Sequence, residues 1–422
     1  MIRQWSLTAY SALAFPLAMA MLPIYMVAPK FYSATLGASL AAVGLTLFFV
    51  RLIDTFQDPL IGRLVDWLTR YKYGWSFLLV SAGVGLAIGF ALLFTPMVTG
   101  QSALLWWLAG SLVLVYTAHS LMNVCYLAWG ARLTDDEAGR ARVTAWREAS
   151  GVFGVVLASV LPAVWVAEHG ALVGYRYFTF AFVVALVFGL ALTLKFSPRP
   201  IVAVVSERPD WRSAMSQPVV RRLYAFYLFN ATAAAIPATL ILFYVDDVLQ
   251  QPGREGLFLG VYFLAGLSTL PLWVKLSDRL GKIKAWLLGS VLASAALGTA
   301  AFLGSGDVVL YALVCLLSGA ALGADLALPP AMLADAIPVS QRANTGLYFG
   351  VWALIAKLSL ALAAGAALPL LGLFGYVPGE PSTAGHLALL YAVLPIGFKA
   401  LAAWVIWPRP FFASRSTRES LT

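Results

Sequence analysis

The chain has 422 residues, of which 61% are hydrophobic and 11% are charged, and its formal net charge is +9. A soluble domain carries roughly 25% charged residues, so this composition excludes an ordinary soluble enzyme or nucleic-acid-binding protein and predicts an integral membrane protein. In a membrane protein, the distribution of basic residues between the two faces of the bilayer indicates the orientation of the chain.

Polar breaks divide the sequence into twelve apolar segments, each near or above the roughly 20 residues that a helix needs to cross a bilayer. An Ala18-x-Ala20 pattern in the first segment resembles a signal-peptidase site, but the apolar run continues to Ala28, so we expect it to remain as span 1. The predicted spans, in chain order, cover residues 5–29, 39–62, 76–96, 103–130, 146–168, 174–197, 218–246, 256–276, 285–303, 307–335, 344–369 and 385–407. The predicted fold class is an all-α membrane protein.

The basic residues are distributed unevenly between the two faces. Of 28 lysines and arginines, 21 lie in the termini, in the even-numbered loops or at the span ends that adjoin them, and 4 are counted as intramembrane: Arg51, Arg147, Lys357 and Lys399. The odd-numbered loops and the span ends that adjoin them hold only Lys30, Arg176 and Arg254. By the positive-inside rule we expect both termini in the cytoplasm of a multi-pass plasma-membrane protein, which in a bacterium is the inner membrane.

A short internal repeat relates the two parts of the chain. A shift of 212 places "PLIGRLVDWL" (59–68) over "PLWVKLSDRL" (271–280), and a shift of 200 aligns the loops that follow spans 4 and 10. Such repeats are common in transporters. We therefore predict two six-helix halves, residues 1–197 and 218–422, joined by a cytoplasmic linker at 198–217, which is rich in proline and charge. The repeat aligns three pairs of polar residues, to which we assign a gating role at cytoplasmic helix ends: Arg63 with Lys275, Asp66 with Asp278, and Arg142 with Arg342.

Three ionisable residues stand inside span 2, in "RLIDTFQDPLIGRLVD" (51–66). One charge at the bilayer centre costs at least about 2.5 to 3.5 kcal/mol on insertion scales. Arg51, Asp54 and Asp58 are separated by three and four residues, so they share one helix face, which Gln57 borders. The second half has no counterpart, which favours a functional site over a structural ion-pair cluster. Two carboxylates suit a small hard cation or a proton, and the sequence leaves Na⁺ and H⁺ open.

Other polar side chains in the spans are candidates for lining a substrate path. A cation in a span is expensive unless it pairs with a carboxylate or with an anionic substrate. An aromatic residue there serves either as a substrate platform or in packing, and both readings stay open for Trp352. The candidates are Asn123, Tyr126, Arg147, Asn230, Trp352 and Lys357.

The span 2 stretch resembles the signature of the glycoside-pentoside-hexuronide:cation symporters, the melibiose permease family of the major facilitator superfamily. The segments "MNVCYLAWGARLTDDEAGRARVTAWREASGVFG" (122–154) and "QRANTGLYFGVWALIAK" (341–357) resemble that family's span 4–5 region and the start of its span 11. The resemblance implies a two-domain helical fold with alternating access. It also implies a secondary active transporter, a cation-coupled symporter of a sugar or glycoside.

The resemblance assigns roles to individual residues. It makes Asp54 and Asp58 the cation ligands, with Gln57 where the family often has asparagine and Ser120 as a hydroxyl neighbour. Arg51 becomes their charge partner, and Arg147 and Lys357 lie close to the substrate path. No cofactor beyond the coupling Na⁺ or H⁺, no structural metal and no enzymatic activity are expected, and we expect a monomer whose partners are a small-molecule substrate and the lipid bilayer.

The chain departs from melibiose permease at the sugar-binding acids. No acidic residue lies between Arg3 and Lys30, and span 4 has Asn123 in place of the acid and Leu127 in place of a tryptophan. These departures keep a second substrate class open, an amphiphile such as a lysophospholipid or another organic anion. A sensor or assembly subunit without a transported substrate is a third hypothesis, although it would not need a charged cluster in one half alone.

Overall fold

The structure, a computed structural model, describes residues 4–71, 73–131, 133, 137–198, 217–337 and 345–407. Within these residues the chain is helical, has no β-strand, and forms twelve helices long and apolar enough to span a membrane. The predicted all-α class and the number of spans are confirmed. The helices are α1 (Ser6–Thr35), α2 (Leu40–Leu68), α3 (Gly74–Phe94), α4 (Gln101–Ala131), α5 (Glu137–His169), α6 (Ala171–Phe196), α7 (Pro218–Val248), α8 (Glu255–Leu280), α9 (Lys282–Ala300), α10 (Val308–Ala336), α11 (Thr345–Leu373) and α12 (Ala384–Ile406).

Helix α1 is longer and less regular than the hydropathy of the sequence predicts. Two π-helical turns, Pro23–Val27 and Phe31–Thr35, carry it past the predicted end at residue 29. The polar residue that suggested the end, Lys30, continues the helix because its ammonium group has acidic partners on α7 and α8. Helix α5 begins at Glu137, ahead of the span predicted from residue 146, but its part that is apolar enough to cross a membrane is Trp146–His169, as predicted.

Two of the joints between neighbouring helices consist of a single glycine. Gly170 separates α5 from α6 at φ +78°, and Gly281 separates α8 from α9 at φ +83°. A side chain disfavours this left-handed region, whereas glycine adopts it without steric cost. The two glycines therefore reverse the chain in the least possible length and keep consecutive helices antiparallel.

Each helix crosses the bundle, so alternate loops lie at the same end. We call the end that carries both chain termini the terminal end, and the opposite end, with the α1–α2 and α7–α8 loops, the distal end. Hydrophobic side chains on the outer surface stay exposed, among them Trp106, Phe180 and Val291, as expected for a surface that faces lipid.

Among the described residues, three helix pairs make most of the contact between the first six helices and the last six: α2 with α11, α5 with α8, and α1 with α7. The closest approaches lie toward the distal end. A Cβ atom added to Gly365 of α11 would come within 2.7 Å of the Phe48 side chain of α2, and one added to Gly256 of α8 would lie 3.2 Å from the Ser159 carbonyl oxygen of α5. Small residues allow helix backbones to pack this closely. The distal end is therefore the tightly closed end of the interface.

The predicted linker is not tested by the structure, because residues 199–216 lie outside the described part of the chain. The boundaries of the two halves thus remain predictions. The same holds for three of the six assigned gating residues: Arg342 and the side chains of Asp66 and Arg142 also lie outside it.

Candidate functional site

The side chains that share one face of α2 form a charged cluster between the two sets of six helices. Asp54 is buried, with 1% of its surface exposed, whereas the Asp58 side chain is 29% exposed. The two carboxylates lie one helical turn apart because four residues separate them. One carboxylate is thus enclosed by protein, and the next one along the face remains accessible.

Lys357 of α11 reaches across the interface to both carboxylates. Its Nζ atom lies 3.2 Å from Asp54 Oδ1 and Oδ2, and 2.8 and 2.7 Å from Asp58 Oδ1 and Oδ2. It also donates a hydrogen bond to Ser120 Oγ at 2.7 Å. One ammonium group from the last six helices therefore contacts three side chains of the first six.

Neutral side chains from α2 and α4 donate further hydrogen bonds to the Asp54 carboxylate. Ser120 Oγ donates to Asp54 Oδ1 at 2.9 Å, and Gln57 Nε2 donates to the same oxygen at 3.1 Å. Thr117 Oγ1 donates to Gln57 Oε1 at 2.9 Å, which fixes the orientation of that amide. Sequence reasoning did not identify Thr117, although it precedes Ser120 by three residues and so lies on the same face of α4.

Arg51 supplies the second positive charge of the cluster. Its Nη1 atom lies 3.4 Å from Asp54 Oδ2, and its guanidinium carbon lies 4.3 Å from the centre of the Tyr116 ring. The Arg51 side chain is 3% exposed, and its Nη2 atom has no hydrogen-bond partner among the described residues. With two carboxylates and two cations the cluster is electrically neutral, which lowers the cost of burying it.

The remaining candidates of the first six helices lie around α1, α4 and α5. Tyr126 and Tyr10 hold α4 to α1: each hydroxyl donates to the other residue's carbonyl oxygen, at 2.8 and 3.0 Å, and the rings stack with centroids 4.5 Å apart. Arg147 forms an ion pair with its neighbour Glu148. Asn123 is half-buried, three residues after Ser120 on the same face of α4. Of these three residues, Asn123 is therefore the one that shares a helix face with the cluster. The Tyr126 hydroxyl is used in packing α4 against α1.

Asn230 belongs to a second polar cluster, built from α7, α9, α10 and α12. Lys399 Nζ lies 2.6 Å from Asp325 Oδ2 and donates to Asn230 Oδ1 at 2.8 Å. Asp325 Oδ1 accepts hydrogen bonds from Asn230 Nδ2 at 3.1 Å and from Trp286 Nε1 at 2.8 Å. This cluster is also neutral and lies within the last six helices, so the structure does not bring Asn230 to the carboxylates of α2.

Trp352 lies against another aromatic residue. Its ring stacks on that of Tyr227 with centroids 3.5 Å apart and an interplanar angle of 13°, and the residue is 7% exposed.

At the terminal end, the assigned gating residues Arg63, Lys275 and Asp278 are exposed, and the neighbouring Lys282 pairs with Asp335.

The comparisons with known proteins agree with this architecture. The profile of a family described as MFS/sugar transport protein matches residues 7–410. The glucuronide carrier protein homolog of Escherichia coli (strain K12) is 26% identical over 411 residues, which cover 90% of this chain and 87% of that protein. The inner membrane symporter YicJ of the same organism is 23% identical over 284 residues, which cover 62% and 59% of the two chains.

A solved structure shows the same fold. It is a bacterial homolog of the human lysosomal transporter Spinster in an inward-facing, unoccupied conformation. It superimposes with a TM-score of 0.70 at 14% identity, over 96% of this chain and 98% of that one. At this identity the likeness concerns the arrangement of the helices alone.

Proposed function

The chain belongs to the MFS/sugar transport protein family, and from that premise we propose that it is a cation-coupled symporter of a sugar or glycoside that works by alternating access. The observation that carries the proposal is the bridge from Lys357 to Asp54 and Asp58. The bridge ties a potential cation site on one set of six helices to a side chain on the other set. Occupancy of the site and the relative position of the two sets therefore affect each other.

The charges of the cluster supply a coupling mechanism. Lys357 provides the positive charge that a coupling cation would bring to the same carboxylate oxygens. A Na⁺ ion or a proton that binds there competes with the ammonium group and weakens its hold on α2. Lys357 is then available to a substrate group, and in the absence of substrate it returns to the carboxylates. Binding of the cation and of the substrate would strengthen each other, as symport requires.

The neutrality of the cluster favours an anionic glycoside as substrate. With Lys357 and Arg51 in place, an added cation leaves one uncompensated positive charge in a partly dehydrated site. A substrate carboxylate would remove that charge, and the released Lys357 would be its partner. The similarity to the glucuronide carrier protein homolog supports this class, because a glucuronide carries a sugar and a carboxylate in one molecule.

The geometry also supports one conformational assignment. The two sets of six helices pack closely at the distal end, and the positive-inside rule assigns the terminal end to the cytoplasm. We therefore assign the structure to a conformation closed toward the periplasm in a bacterial inner membrane.

The test of coupling is uphill uptake into proteoliposomes under an imposed Na⁺ or H⁺ gradient. The Asp54→Asn, Asp58→Asn double variant keeps the shape of the carboxylates and removes their charge, so the folded protein should be unable to accumulate substrate. It should also be less stable than the wild type, because Arg51 and Lys357 lose their counter-charges. The exposed acid Asp278 offers a matched control, and Asp278→Asn should retain ion-driven accumulation. Accumulation by the double variant at the wild-type level would refute the proposal.

The substrate class is tested separately by thermal stability of the purified protein with glucuronides, neutral glycosides or lysophospholipids, each with and without Na⁺ and at two pH values. A cation-dependent stabilisation by a glucuronide, and not by its neutral glycoside analogue, is the expected result. Stabilisation by lysophospholipids alone would instead establish the amphiphile class.

A further inference from the structure

A second charged cluster joins the two sets of helices at the distal end. Lys30, near the end of α1, has its Nζ atom 2.5 Å from Asp246 Oδ2 of α7 and 3.2 Å from Glu255 Oε1 of α8. The three side chains line a cavity of about 410 Å³ that α1 and α5 form with α7 and α8. Their side chains are only 10% to 25% exposed. This cluster is separate from the carboxylates of α2.

Two carboxylate oxygens of this cluster lack a hydrogen-bond donor among the described residues. One oxygen of each acid, Asp246 Oδ1 and Glu255 Oε2, is buried and has no hydrogen-bond donor among the described residues. Both carboxylates contact the same ammonium group, so they lie close to each other. Two ionised carboxylates cannot share a hydrogen bond, because both are acceptors only. Neither carboxylate therefore satisfies the free oxygen of the other, and one added positive charge would serve both.

The groups around the pair do not supply that charge. From α6, Tyr175 faces all three charged side chains and is neutral in its usual state. From α5, Ser159 turns its hydroxyl to the Val156 carbonyl oxygen at 2.8 Å. The next acid along the chain, Asp247, accepts hydrogen bonds from the Tyr376 hydroxyl and from the Gly379 N–H. Within the described part of the chain, Lys30 is the one cation that contacts the pair, so the cluster has a net charge of −1 when all three groups are ionised.

We propose that the closed distal end binds one monovalent cation, a proton or Na⁺, at the unpartnered oxygens of Asp246 and Glu255, and that this cation stabilises contact between the two sets of six helices. Closure removes one oxygen of each carboxylate from water, and a buried charge that is not fully compensated is expensive. When the distal end opens, water solvates the same oxygens and the need for a cation falls. The cation therefore binds the closed form more tightly and shifts the equilibrium toward it.

The test measures closure of the distal end directly, by the distance between two nitroxide labels. Ser102 on α4 and Val309 on α10 are exposed near the distal ends of their helices and can be replaced by cysteine, and the native Cys125 and Cys315 are buried. The protein carries Asp54→Asn and Asp58→Asn, so that the carboxylates of the cluster on α2 cannot bind the cation. Distances are recorded from pH 5 to 9 without Na⁺, and at pH 9 with increasing Na⁺ against choline as the control cation.

One bound cation changes the ratio of closed to open populations by up to about tenfold per pH unit, or per tenfold change in Na⁺. We expect such a response in the background protein, to pH if the cation is a proton and to Na⁺ if it is sodium. Adding Glu255→Gln should abolish it, because the amide can donate to Asp246, whereas the exposed control Glu380→Gln should leave it unchanged. Asp246→Asn provides a second variant if Glu255→Gln does not fold. No response to either cation in the background, or a response that both amide variants retain, would overturn the proposal.

Discussion

Replacing Lys357 by alanine should tighten cation binding at the cluster on α2. The ammonium group lies within 3.2 Å of the oxygens of Asp54 and Asp58 and competes with any cation that binds between them. Removing one partner of a buried ion pair costs about 3 to 5 kcal/mol. The Lys357 side chain is 24% exposed, so we take a screened value of about 2 to 3 kcal/mol for the competition. Since about 1.4 kcal/mol is tenfold, the dissociation constant of the cation should fall roughly 30- to 150-fold.

The measurement is thermal stability of the purified variant as a function of Na⁺ concentration and of pH. Without the cation, Lys357→Ala should be less stable than the wild type, and the added cation should restore stability at a lower concentration than in the wild type. Lys357→Arg keeps the positive charge and serves as the matched control, with a midpoint near that of the wild type. An unchanged or weaker cation midpoint in Lys357→Ala would refute the idea that this ammonium group and the coupling cation compete for one site.

Two further predictions follow from burial and from charge. Arg51→Leu should destabilise the protein by about 3 to 5 kcal/mol, because it removes a buried partner of Asp54. Arg63→Leu, at an exposed position of the same helix, should change stability by at most about 0.5 kcal/mol. Unfolding of the two purified variants in detergent compares them, and equal stabilities would contradict the assigned role of Arg51. Reporter fusions after the C-terminus and within residues 199–216 should give cytoplasmic signals, and a fusion within residues 374–383 a periplasmic one, because the basic residues concentrate at the terminal end. A periplasmic signal from the fusion within residues 199–216 would rule out the expected orientation.

The sequence was sufficient where a feature depends on one helix. The spacing of Arg51, Asp54 and Asp58 places them on one face whatever the rest of the chain does, and apolar length alone gives twelve spans. Helix ends were less predictable. Hydropathy stopped α1 at residue 29 because it treats every lysine as a break, whereas Lys30 is stabilised by acids more than two hundred residues away in the chain.

Contacts between helices were beyond the reach of the sequence. An intramembrane lysine indicates that a partner exists, but it does not say which carboxylate is the partner, because that depends on how the helices pack. The sequence led us to expect Lys357 beside the substrate path, and the structure shows the same ammonium group on Asp54 and Asp58. Asn230, a predicted substrate ligand, is hydrogen-bonded to Lys399 and Asp325, and these partners too depend on how the helices pack.

The zero net charge of the cluster on α2 has a consequence for the electrical behaviour of a transport cycle. Moving one elementary charge across a membrane potential of 100 mV is worth about 2.3 kcal/mol. While Arg51 and Lys357 balance Asp54 and Asp58, a change of access moves no net charge of this cluster through that potential, so voltage neither drives nor opposes it there. A cluster loaded with one cation and a neutral sugar would carry one charge, and one loaded with a cation and an anionic glycoside would carry none. The current recorded during transport therefore reports the charge of the substrate.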